Sequence, residues 1–166
     1  MTLYEHTVPV FSRMLANLEA LLDKAAAHAE TSKYDVGALL SARLFPDMFT
    51  LTRQVQLATD FAKGACARLA GLEVPRWEDT ETTLAELKAR LARTRDFLAS
   101  LPPARFDGAA TRAIELKTPA GNFHFDGEHF VRHWALPNFY FHVTTAYNLL
   151  RHNGVPVGKL DFLGEL

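Results

Sequence analysis

Apolar positions recur at three- and four-residue steps along most of this chain, and the repeats break at proline and glycine. Over residues 10–26, Phe11, Met14, Leu18, Leu21, Leu22 and Ala25 share one stripe, which predicts a first helix. Pro9 helps place its start, because proline in a first turn forfeits no hydrogen bond. Thr2-Leu3-Tyr4-Glu5 has the form of a capping box, so an earlier start with a bend near Pro9 stays open. Residues 34–49 are broken by Gly37 and Pro46 and read as short helical or turn pieces. A second helix covers about 47–70, with Leu51, Val55, Ala58, Ala62, Ala65 and Leu69 on its stripe and Gly71 as its stop. Gln54 lies close to that stripe and reads as an inward-facing polar residue. Gly64 is a weak point within it. Residues 72–79 form a linker, and Thr83 to Glu86 is a capping box for a third helix running to about 100.

The period then changes. Ile114, Leu116 and Thr118 alternate, PAGN at 119–122 is a turn signal, and Phe123 and Phe125 alternate again. This is a β-hairpin, and two strands must lean on the helices to bury a face. Residues 128–135 are ambiguous between a short helix and an extended arm. The last long helix is expected to open at or near Pro137 and to end at Gly154. Four amphipathic helices and a small hairpin before the last one predict a mainly α four-helix bundle, one domain over 1–166. In the apolar tail, Val157, Leu160, Phe162 and Leu163 are expected to dock.

Composition narrows the function classes. The 166 residues are 48% hydrophobic and 22% charged, with 18 basic and 19 acidic side chains and a formal net charge of -1. No basic field is present to hold nucleic acid or an anionic membrane surface. The run Lys88, Arg90, Arg93 and Arg95 reads as a solvated helix face. Cys66 is the only cysteine and reads as a small buried residue. No signal segment or membrane span is expected, and the cytoplasm is the default compartment.

Candidate chemistry concentrates in HWALPNFYFH, residues 133–142. On a helical wheel Phe139, Val143, Ala146 and Leu150 make the central stripe, and His142 stands on its shoulder. Asn138 lies one turn before His142 and Thr145 almost one turn after it. Both are candidate hydrogen-bond partners, because a buried imidazole needs partners for its nitrogens. Three readings of His142 stay open: a hydrogen-bonded core or cleft residue, a metal ligand, and a general acid or base. Asn138, His142, Gln54 and Thr145 are together the candidate pocket for a small-molecule ligand. No residue is assigned as catalytic, and no cofactor is expected, a divalent metal being the alternative. His129 and His133 would share a face if their arm is helical; if extended, about 13 Å of rise would separate them. Tyr140 and Phe141 point away from the stripe and need cover from the hairpin, the arm or a second subunit, so a homodimer is expected. The hairpin and tail also admit a protein-interaction module.

LPNFYFHVTTAYNLLRHNGVPVGKLDFLG at 136–164, YEHTVPVF at 4–11 and FDG at 125–127 resemble the DUF1993 family, a branch of the DinB/YfiT-like superfamily. The resemblance spans essentially the whole chain. It implies an up-down-down-up four-helix bundle, often dimeric. Better-studied DinB-like relatives carry a three-histidine metal site, one histidine from the second helix and two from the fourth, and some are thiol-dependent transferases. By that resemblance His142 matches one fourth-helix position. Asn138 and Ala146 stand four residues to either side of it, and no histidine lies between Met48 and Gly71. The resemblance therefore implies the fold more firmly than a metal-dependent hydrolase or transferase activity.

Overall fold

The computed structural model describes residues 2–118 and 121–165. Helix α1 spans Leu3–Ser32. It starts well before the predicted residue 10 because the capping box forms: Glu5 N–H donates to Thr2 Oγ1 at 3.3 Å, and Thr2 N–H donates to the Glu5 carboxylate at 2.6 Å. Pro9 lies inside the helix, and the bond it forfeits is offset by the two satisfied end donors together with the burial of Thr7 and Val8 in the added turns. Phe11, Leu15, Leu18 and Leu22 on its inner face are fully buried. The short helix α2, Gly37–Leu40, plugs Leu39 and Leu40 into the same core.

Helix α3 spans Leu51–Leu69 and is capped by Thr50, whose hydroxyl accepts from Arg53 N–H. Helix α4 spans Leu84–Ala99, and the expected box of Thr83 and Glu86 caps it. Helix α3 packs against α1, α4 and the last long helix, so Gln54, Gln56, Thr59 and Lys63 are buried along with its apolar stripe.

The loop before α4 is tied down by a buried guanidinium. The expectation of a solvated basic face fails at Arg90, which is only 3% exposed. Its Nε donates to Thr59 Oγ1 at 2.7 Å and its Nη1 to the Glu78 carbonyl at 3.0 Å. Glu81 accepts from Nη1 at 3.0 Å, while Asp60 and Asp79 each lie 2.9 Å from Nη2. Burial opposes this charge, but Glu81, Asp60 and Asp79 together hold the group above its ordinary pKa. Wheel position alone could not show this, because every acidic partner comes from outside α4. Beside it, Trp77 is stacked by Lys63 Nζ at 4.2 Å and Arg93 Cζ at 4.3 Å.

After two 3₁₀ turns, Pro103–Phe106 and Ala109–Thr111, strands β1 (Ile114–Thr118) and β2 (Gly121–Phe125) pair antiparallel, Ile114 opposite Phe125. The hairpin is as expected; Pro119 and Ala120 of its PAGN turn lie outside the described residues. Phe123 and Phe125 lean on Trp134. Asp126 caps α5, Gly127–Phe130, by accepting from His129 N–H at 2.7 Å. Helix α5 continues through a π-helical turn, Val131–Ala135, into α6, Leu136–His152. Helix α6 thus opens with Pro137 in its first turn, as expected, but the rod is already helical from Gly127, and the chain passes the proline without a break. The π turn explains how: Leu136 N–H reaches five residues back to Val131, and the widened turn gives the proline ring room against the preceding carbonyls. Glycine is required at 127, where a Cβ would sit 1.8 Å from the Ala109 carbonyl oxygen.

The four long rods form the expected up-down-down-up bundle with its core between them. The tail docks through Val155 and Val157, which are buried. Helix α7, Lys159–Leu163, lies on α1, with Phe162 against Tyr147 and Asp161 2.6 Å from Lys24. Leu160 departs from the expectation and is 76% exposed. No helix among the described residues is long and apolar enough to cross a membrane.

Arg90 joins Thr59, the Glu78 carbonyl and three carboxylates at once, and its removal leaves Glu81 without a cation and the Thr59 and Glu78 oxygens without their donor, while Asp60 keeps Lys63 and Asp79 keeps Arg53. Arg90→Ala is expected to lower unfolding free energy by about 3 kcal/mol or more in urea titration. A loss below about 1 kcal/mol, the range of a solvated pair, would contradict the buried network.

Candidate functional site

Gln54 on α3 and His142 on α6 meet across the seam between the second and fourth long helices. His142 Nδ1 lies 2.7 Å from Gln54 Oε1, and the two residues are 7% and 1% exposed. A carboxamide oxygen only accepts, so the hydrogen bond assigns the proton to Nδ1. The orientation of Gln54 is consistent, since its Nε2 donates weakly to the Phe49 carbonyl at 3.4 Å. Phe61, two turns along α3 from Gln54, stacks on the imidazole with ring centroids 5.3 Å apart and planes at 19°. Phe141 meets the ring edge-on at 5.3 Å. Nε2 has no hydrogen-bond partner among the described residues, and it is not one of the sealed, unpartnered atoms, which are Tyr34 Oη and Arg95 Nε.

Burial, reinforced by the nearby Arg53 charge, pushes the His142 pKa down to about 4. The ring is therefore neutral at physiological pH, with Nδ1 a donor and Nε2 an acceptor.

The other two expected partners turn away. Asn138 Nδ2 donates to the Trp134 carbonyl at 2.7 Å, and Thr145 Oγ1 donates to the Phe141 carbonyl at 2.7 Å. Each bonds the carbonyl four residues back on its own rod, a local contact available without any ordering of a neighbour. Of the four candidates, only Gln54 and His142 bond one another. Phe61 was missed, though its i+7 spacing from Gln54 places it on the same face of α3.

The arm is helical, so His129 and His133 do share a face, with ring centroids 4.3 Å apart. They flank a shallow depression of about 250 Å³ with Asp126, Glu128 and Arg132. Among the described residues no three His, Cys, Asp or Glu side chains are grouped to hold a metal ion. The Cys66 thiol is buried, and burial pushes it up to about 12, so it is protonated and unsuited to attack. Tyr140 is half-buried against Phe139 and does not need a second subunit for cover, whereas Phe141 is 56% exposed.

The family described as a domain of unknown function (DUF1993) matches residues 3–163. The chain belongs to the DUF1993 family. A crystal structure of a DinB family member from Shewanella denitrificans is 48% identical to this DUF1993 chain, with a TM-score of 0.92 over 99% of this chain and 93% of that one. No curated protein matches it. These likenesses put the chain in the DinB/YfiT-like superfamily, where the three-histidine pattern can be tested against the geometry. It does not fit. The second-helix position facing His142 holds Gln54, whose oxygen is engaged by Nδ1, and Asn138 is folded back on Trp134.

The neutral state of His142 has a stability consequence. The unfolded chain takes up a proton near pH 6.5 while the folded ring resists to about 4. The stabilising difference is thus present above pH 6.5 and is lost as pH falls toward 4, by on the order of 3 kcal/mol. In His142→Phe this share is absent, so denaturation measured across the window is expected to fall less steeply than in the unmodified chain. Parallel curves would contradict a buried neutral imidazole.

Proposed function

We propose that this DUF1993 protein binds a small molecule at the α3–α6 seam, with His142 Nε2 accepting a hydrogen bond from the ligand. Gln54 acts as a positioning residue, fixing the ring and its tautomer. The supporting observation is the asymmetric use of the imidazole: Nδ1 is tied to Gln54, while Nε2 is left unbonded between Phe61 and Phe141. The same observation favours binding over proton transfer. A ring that protonates only near pH 4 is too weak a base to take protons efficiently at neutral pH. The ligand this suits has an N–H or O–H donor on an apolar or aromatic body. Neither a metal-dependent hydrolase nor a thiol-dependent transferase draws support from the donors at the seam.

A second reading concerns assembly. Phe45, Phe49 and Phe141 are 65%, 52% and 56% exposed, and Phe49 and Phe141 both touch the Gln54–His142 pair. These exposed rings favour a homodimer that covers them.

Phenol serves as the probe for the first reading, a donor on an aromatic ring. Calorimetry is expected to give saturable binding that Gln54→Leu weakens about tenfold and His142→Phe removes. Equal affinity in all three proteins would reject it. For the second, the unmodified chain is expected to sediment as a dimer and Phe141→Asp as a monomer. A monomeric unmodified chain would reject the dimer.

A further inference from the structure

Phe61 also lines a groove of about 220 Å³ between α3, β1 and the π turn. Its walls are apolar: Phe61, Leu116, Phe130 and Trp134. Arg68 and Lys117 also line it. Arg68 is half-buried, and among the described residues it forms no ion pair; its Nη1 donates only to the Gly64 carbonyl, at 3.0 Å. Burial holds its pKa below the ordinary value, with no acidic side chain offsetting the cost. The contrast with Arg90, whose donors are met by three carboxylates, is sharp. Asp60 borders the groove as well, but it is neutralised by Arg90 and Lys63, each 2.9 Å away.

Gly64 explains how the guanidinium lies there. A Cβ at position 64 would sit 2.8 Å from Arg68 Nη1. Glycine weakens a helix interior, and here it clears the space in which the arginine folds back along the groove.

We infer that this groove binds a small organic carboxylate, its oxygens on Arg68 with Lys117 nearby and its apolar body between Phe61, Leu116, Phe130 and Trp134. A planar guanidinium with unused donors matches a carboxylate in both shape and charge. The apolar walls select an organic anion over a bare inorganic one, and the volume limits it to roughly one ring or a short chain. The site shares only Phe61 with the His142–Gln54 pair and does not rest on the seam binding a ligand.

Benzoate is the probe, followed through the two tryptophan indole N–H signals by NMR. Trp134 lines the groove and Trp77 does not, so benzoate is expected to shift the Trp134 signal saturably and leave Trp77 still. Benzamide, the uncharged isostere, and Arg68→Gln are each expected to weaken binding about tenfold, with Arg68→Lys in between. Acetate, which keeps the charge without the ring, is also expected to bind more weakly than benzoate. No saturable shift, equal binding of benzamide or acetate, or an undiminished response in folded Arg68→Gln would each overturn the assignment. If Arg68→Gln fails to fold, the comparison of benzoate, benzamide and acetate on the unmodified chain decides.

Discussion

One hydrogen bond, from His142 Nδ1 to Gln54 Oε1, decides what the centre of this molecule can do chemically. Two polar side chains in a core are tolerated only when their hydrogen-bonding groups are met, and an amide oxygen facing an imidazole meets that demand without introducing a charge. The choice of partner matters. A carboxylate opposite Nδ1 would favour the imidazolium, whereas the neutral amide and the surrounding burial favour the uncharged ring. The seam therefore presents an acceptor with a fixed tautomer. It is fixed from α3, while the residues flanking His142 on α6 satisfy their own helix.

Charge elsewhere is handled by two opposite devices. Around Arg90, every polar end of a buried cation is met, and the result is a clamp joining α3, the loop before α4 and α4 itself. At Arg68 the cation is half-buried and, among the described residues, forms no ion pair. A paired buried charge is an element of architecture, whereas a half-buried one without a counter-charge keeps donors free for an anion or for water. Both arginines sit on helices whose sequence pattern is ordinary.

Legibility in the sequence followed the range of the interaction. The boxes at Thr2–Glu5 and Thr83–Glu86, the apolar stripes and the hairpin alternation are local, and they were readable as such. Pro137 marks the first turn of α6, but the helical stretch from Gly127 that precedes it is not legible, because the π turn joining the two has no simple sequence mark. Arg90 looked like surface because its partners come from α3 and the preceding loop. At the seam, the inward tilt of Gln54 and His142 was visible on their helical wheels, but their pairing was not, since 88 residues separate them. Proximity makes Asn138 and Thr145 candidate partners of His142, but the Trp134 and Phe141 carbonyls one turn back accept their hydrogen bonds instead.

The most direct test is nitrogen-15 NMR of the imidazole rings. For His142 this account predicts a proton on Nδ1, an unprotonated Nε2, and no imidazolium until the pH approaches 4. An Nε2–H tautomer, or titration near the ordinary 6.5, would show that the amide does not hold the ring and would remove the basis for the proposed site at the seam.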